Sequence, residues 1–189
     1  MGRIEAQRQG AKVLVTGTHS TGKTTFVRAL AAKIGSSNVD VLAEAARDCP
    51  FALNLKQNVL STSWLLAAQI KAEIERQTRP GVRVVLCDRG LPDVLAYHEV
   101  FAGTVSRWMN DLAAEWLSSY DLVLVAQPNP SQPIAPDPLR PEDEGFRADV
   151  QRAIEQRLAA CGVTYELLPH DLVARVAREL PRSWLSGGS

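Results

Sequence analysis

The chain has 189 residues, 46% hydrophobic and 22% charged, long enough for one domain with a full core. Lys+Arg and Asp+Glu balance at 21 each, so no net field draws it to nucleic acid or to a membrane surface. Cys49, Cys87 and Cys161 are odd in number, far apart and in no C-x-x-C, which argues against a disulfide framework and a zinc site alike.

Residues 1–9 are polar and read as a loose lead-in without the apolar core of a signal peptide. No apolar run of about 18 residues follows, so the expected setting is the reducing cytoplasm, with no membrane partner. Lys12 to Thr16 is short, apolar and β-branched, a buried first strand. It runs into Gly17-Thr18-His19-Ser20-Thr21-Gly22-Lys23-Thr24, which fits the phosphate-binding pattern G-x-x-x-x-G-K-[ST]. Phe26, Val27, Leu30, Ala31 and Ile34 then recur at helical spacing, and Gly35 closes that helix.

The chemistry explains the pattern. Gly17 and Gly22 let the backbone curl so that successive N–H groups surround a phosphate, and the helix start adds its positive dipole end. Lys23 is placed to reach the β- and γ-phosphates, and Thr24 to give a hydroxyl to Mg²⁺. Thr18, His19, Ser20, Thr21 and Thr25 complete the nucleotide-binding candidates.

Val39 to Ala43 predicts a second strand, ending at Glu44-Ala45-Ala46-Arg47, and Asp48 to Asn58 an irregular loop. Ser61 or Thr62 predicts the cap of a long helix to about Thr78. Val82 to Cys87 predicts a central third strand ending at Asp88-Arg89-Gly90. Helical stretches over 93–100 and 104–118 lead to a fourth strand, Asp121 to Ala126. Pro128 to Pro141 is Pro-rich and polar. A helix over 142–161, a fifth strand from Val163 to Leu168 and a closing helix from Leu172 to Leu180 finish the chain.

Strands alternating with helices predict a doubly wound α/β domain with five parallel strands. Ligands of such sheets sit beyond the carboxyl ends of the strands, which brings Gly17 to Thr24, Glu44 to Arg47, Asp88, Arg89 and Gln127 to one rim. There Asp88 either holds Mg²⁺ through water or accepts a proton from an attacking hydroxyl. Arg89 neutralises phosphate charge. Arg140 and Arg147 flank the Pro-rich loop, where they either close over phosphates or belong to a solvated stretch. Glu44, Arg47, Trp64, Gln69 and Asp93 are the acceptor-side candidates, with packing the competing role for Trp64 and Gln69.

With the P-loop, Glu44-Ala45-Ala46-Arg47 and the run Asp88-Arg89-Gly90-Leu91-Pro92-Asp93-Val94-Leu95-Ala96-Tyr97 in place, the chain resembles a family of small bacterial P-loop ATPases. That family is related to the ribosylnicotinamide kinase domain of the bifunctional NAD-biosynthesis regulator, and more distantly to nucleoside and nucleotide kinases. The resemblance implies a kinase-like P-loop fold with strand order 2-3-1-4-5 and helices on both faces. It further implies ATP and Mg²⁺, with Asp88 in the base or metal position, Arg89 on phosphate, Arg140 in a short lid and Asp93 on the acceptor side. The expectation is one kinase-like domain over 1–189, core 10–180 and lid 128–147. Its reaction is phosphoryl transfer to a small acceptor such as a nucleoside, nucleotide or ribosyl metabolite. The alternative is a regulatory ATPase that controls a partner.

Overall fold

In the computed structural model, described over residues 10–35, 38–53, 56–131, 133–172, 180–181 and 184, the strands form one parallel sheet. The strands are β1 (Ala11–Thr16), β2 (Val39–Leu42), β3 (Val84–Asp88), β4 (Leu122–Ala126) and β5 (Glu166–Leu168), in the order β2-β3-β1-β4-β5. The helices are α1 (Lys23–Ile34), α2 (Val59–Gln77), α3 (Leu91–Ala102), α4 (Arg107–Leu117) and α5 (Glu144–Ala160). The order and the parallel pairing are those expected.

Both faces of the sheet are covered, which is why its central strands read as unbroken apolar runs. Side chains alternate across the pleat. Leu14, Val85, Cys87, Val123 and Val125 pack with Val150, Ile154 and Leu158 of α5. Val13, Val15, Val84, Leu86 and Leu124 pack with Phe26, Val27 and Leu30 of α1. These three α1 side chains are fully buried, each contributing about 2 kcal/mol of hydrophobic stabilisation. Their anchorage fixes where α1 begins, and so fixes the loop before it.

Element ends differ from the expected ones for local reasons. Helix α2 starts at Val59 because Asn58, not Ser61 or Thr62, caps it. The Asn58 side chain accepts from the N–H groups of Leu60 and Ser61, at 2.9 and 3.2 Å, while Ser61 Oγ accepts from Asn58 N–H at 2.9 Å. The loop expected from Asp48 begins with a 3₁₀ turn, Ala45–Asp48. Strand β5 is shorter at its start because Val163 N–H closes α5 by donating to the carbonyl of Leu158 at 3.0 Å. The 1–9 lead-in, most of the expected closing helix and the Ser/Gly tail lie outside the described residues. Among the described residues, no helix is long and apolar enough to cross a membrane.

Candidate functional site

The register places Asp88 opposite Val15, so the loop after β1 and the residues after β3 leave the sheet side by side. Gly17 has φ 132°, and a Cβ there would stand 2.3 Å from the carbonyl oxygen of Ala126. Only glycine fits between β1 and the end of β4. Gly22, at φ 76°, turns the loop into α1.

Within the loop, Lys23 is buried and folds back, donating to the carbonyl of Thr18 and, at 3.0 Å, to Thr21 Oγ1. Burial lowers its pKa well below the ordinary lysine value, with Arg89 adding to the effect and Asp93 and Asp88 opposing it. A phosphate offers this ammonium a charged partner in place of two neutral ones. Thr24 and Thr25 stand exposed on the first turn of α1. Thr24 Oγ1 donates to Asp88 Oδ2 at 2.5 Å, while Asp88 Oδ1 is buried with no partner. A hydroxyl beside a half-used buried carboxylate is a fitting donor set for Mg²⁺, which binds through one or two protein oxygens plus phosphate and water.

Arg89 follows the strand at φ 83°, a left-handed conformation costly for a side-chain-bearing residue. Its Nε lies 2.9 Å from Glu44 Oε1, and its Nη1 donates to the Gly17 carbonyl at 3.2 Å. Arg140 reaches the same Glu44 oxygen and also donates to Asp137 Oδ2 at 2.9 Å. Burial lowers the Arg140 pKa to about 10. One carboxylate therefore clamps two arginines, one from the sheet rim and one from the Pro-rich segment. That segment also meets the P-loop, where Ala135 N–H donates to Ser20 Oγ at 3.2 Å. Arg147 is buried too: Nη2 donates to Glu144 at 2.6 Å, and Nη1 has no partner.

An open cleft lies beside these arginines. Glu44, Gln57, Gln69, Asp93 and Arg140 give it polar groups, and Leu53, Leu65, Val94, Phe101 and Leu139 give it apolar walls. Of the five acceptor-side candidates, Glu44, Gln69 and Asp93 line it, and Trp64 and Arg47 do not. Trp64 is turned away because one residue along a helix is a rotation of about 100°, and Leu65 and Gln69, four apart, share the cleft face. Arg47 lies at the surface, 61% exposed, 3.5 Å from Asp137. Asp93 serves partly as a brace: it accepts from Thr16 Oγ1 at 2.8 Å, from Gly90 N–H at 3.0 Å and from Gly17 N–H at 3.4 Å.

The sequence reading missed three side chains that hold the loop. Gln151 of α5 accepts from Thr18 N–H at 2.9 Å and is itself held by Glu155, which also takes Gln127. The Tyr97 hydroxyl accepts from His19 N–H at 3.1 Å and pairs with His19 Nδ1 at 3.1 Å. Tyr97 stands at the end of the DRGLPD run, nine residues after Asp88 and so on the next helix, which was its only visible signal.

His19 is buried, with Nε2 unpartnered, and its pKa falls to about 4, first through burial and then through Arg140 and Arg89. Its folded pKa lies below the unfolded value of 6.5, so the unfolded chain binds more protons between the two. Stability is expected to rise with pH across that window. Urea melts from pH 4 to 7 measure this, and His19→Gln is expected to flatten the curve.

A parallel sheet carrying this loop defines a P-loop nucleotide-binding domain. The chain belongs to the AAA domain family, whose model matches residues 12–175. No curated protein sequence matches it. Solved structures share the fold at low identity. The NadR protein in complex with NAD and AMP-PNP is 21% identical with TM-score 0.63, covering 92% of this chain and 51% of that one. This chain thus spans about half the length of NadR. Deoxyadenosine kinase from M. mycoides, with bound products, is 14% identical with TM-score 0.62, covering 88% and 95% of the two chains. Thymidylate kinase from Ehrlichia chaffeensis is 17% identical with TM-score 0.58, covering 85% and 87%. The resemblance drawn from the sequence motifs is borne out.

Proposed function

We propose that this domain transfers the γ-phosphoryl group of ATP to a small acceptor bound in the cleft, a nucleoside, nucleotide or ribosyl-type metabolite. The observation that carries this reading is the cleft itself. It opens next to the P-loop, joins apolar walls to carboxylates, and ends at two buried arginines. A regulatory ATPase needs the P-loop but no such second compartment. NadR, solved separately with NR and with AMP-PNP, and the two kinases support the same class of reaction.

The proposed roles are divided among the residues of the site. Asp88 and Thr24 would hold Mg²⁺, which would supply charge neutralisation to the phosphates. Of the two carboxylates that line the cleft, Asp93 is taken up by Thr16, Gly90 and Gly17, and Glu44 takes the proton of the attacking hydroxyl. The acceptor oxygen bonds to the γ-phosphorus as the bond to the β–γ bridging oxygen breaks, and ADP departs. Lys23, Arg89 and Arg140 stabilise the charge on the transferring group. Residues 128–147 form the lid over a single kinase-like domain, and the free thiols of Cys49, Cys87 and Cys161 suit a reducing cytoplasm.

The test is a thermal-shift screen of nucleosides, nucleotides and ribosyl compounds with AMP-PNP and Mg²⁺, followed by transfer assays with ATP. A true acceptor stabilises the protein by mass action, by about 2.7 kcal/mol at a hundred times its Kd. It is also expected to become phosphorylated as ATP is consumed. ATP consumption that no acceptor accelerates selects the regulatory ATPase instead.

A further inference from the structure

Behind the cleft, on the inner side of α2, lies a charged cluster with no access to solvent. Lys12 and Glu73 are both 0% exposed, with Nζ and Oε2 2.7 Å apart. Trp116 Nε1 donates to the same oxygen at 2.9 Å. The other oxygen accepts from Tyr120 at 2.6 Å and from Gln69 Nε2 at 2.8 Å. Four donors thus meet a carboxylate with about four lone-pair sites. The ammonium also lies 4.5 Å from the Trp116 ring centroid and 4.4 Å from that of Tyr120.

A saturated buried ion pair is often no more stabilising than well-packed apolar residues of the same size, so stability alone does not account for it. What the cluster touches does. Gln69 Nε2 has two hydrogens: one goes to Glu73, and the other goes to the backbone carbonyl of Arg89 at 3.1 Å. Both partners are acceptors, so the amide has one orientation. The N–H of Arg89 is meanwhile held by the Val15 carbonyl at 3.0 Å. Both backbone polar groups of a residue at φ 83° are therefore tied down, and the guanidinium leaves from a fixed point towards Glu44 and Gly17. The next residue is pressed by the same cluster. A Cβ on Gly90 would lie 2.8 Å from the Tyr120 hydroxyl that Glu73 holds.

We propose that Glu73, acting through Gln69 and Tyr120, is the positioning residue for Arg89. It touches neither nucleotide nor acceptor; it holds the strained turn that aims the guanidinium at the transferring phosphoryl group. The consequence for turnover rests on the phosphoryl-transfer reading, whereas the positioning itself does not.

Two variants separate the two claims. Gln69→Met removes the donor with little change in volume. Lys12→Met combined with Glu73→Leu removes both charges together and leaves none buried alone. In labelled full-length protein without ligand, the Arg89 Nε–H resonance reports how firmly the guanidinium is held. Both variants are expected to speed its solvent exchange by about tenfold or more, the loss of one aligned hydrogen bond. With an acceptor from the screen, kcat is expected to fall at least about tenfold while KM for ATP stays within about threefold. Arg89 exchange as slow as wild type in folded Gln69→Met overturns the proposal. So does a rise in acceptor KM alone with unchanged exchange, which makes Gln69 a direct acceptor contact. If the wild type phosphorylates nothing, the kinase reading fails, and the exchange measurement still decides the positioning.

Discussion

Lys23→Ala is expected to fold normally and to lose about a hundredfold to a thousandfold in kcat, the range seen when a charge-stabilising group is removed from a preorganised site. The folded state loses only contacts to the Thr18 carbonyl and the Thr21 hydroxyl, and it no longer has to bury an ammonium. Its melting temperature is therefore expected to match or exceed that of the wild type. The functional loss is larger because a buried ammonium facing β- and γ-phosphates acts where water cannot screen it. Steady-state kinetics on protein of verified melting behaviour decides the matter. Undiminished turnover removes the nucleotide assignment.

Asp88→Asn carries the second large effect. The Thr24 hydroxyl can still donate to an amide oxygen, so α1 and β3 stay joined. What disappears is the negative charge beside the buried, unpartnered Oδ1. A drop of about a hundredfold in kcat is expected at low Mg²⁺, shrinking as Mg²⁺ is raised, because mass action refills a weakened site. AMP-PNP binding measured without Mg²⁺ should change little. A rate deficit that ignores Mg²⁺ concentration moves Asp88 out of the metal role and back to proton transfer.

Much of the fold was legible because parallel strands buried on both faces leave unbroken apolar runs. Val13-Leu14-Val15, Val84 to Cys87 and Val123 to Val125 could be read as strands, and each ends on the rim. The P-loop was legible because its backbone demands glycine at Gly17 and Gly22. The side chains that hold the loop and the Arg89 turn were not. Glu73 sits among Lys71, Glu75 and Arg76 on α2, and a charge there reads as part of a solvated face until packing buries it. Gln151 is hidden the same way on α5. Trp64 and Arg47 lie off the cleft for the converse reason: their chemistry suits a pocket, but the turn of α2 and of the 3₁₀ segment points them elsewhere. Arg147, for which a solvated stretch was the competing reading, is buried at the start of α5.

The Lys12–Glu73 cluster also bears on how the chain assembles. Its members come from β1, α2, α4 and the entry to β4, up to 109 positions apart where Lys12 N–H also meets Asp121. Burying Lys12 before Glu73 arrives leaves a lone charge in the interior, at a cost of several kcal/mol. The intermediate in which β1 and β3 are paired but α2 is undocked is thus disfavoured. Docking of α2 and α4 onto the sheet is therefore expected to be coupled. Such long-range closure slows folding, because loop entropy is lost before the contacts that reward it can form. The same coupling is expected to make the floor of the cleft one cooperative unit, with α2 and the sheet sharing hydrogen-exchange protection.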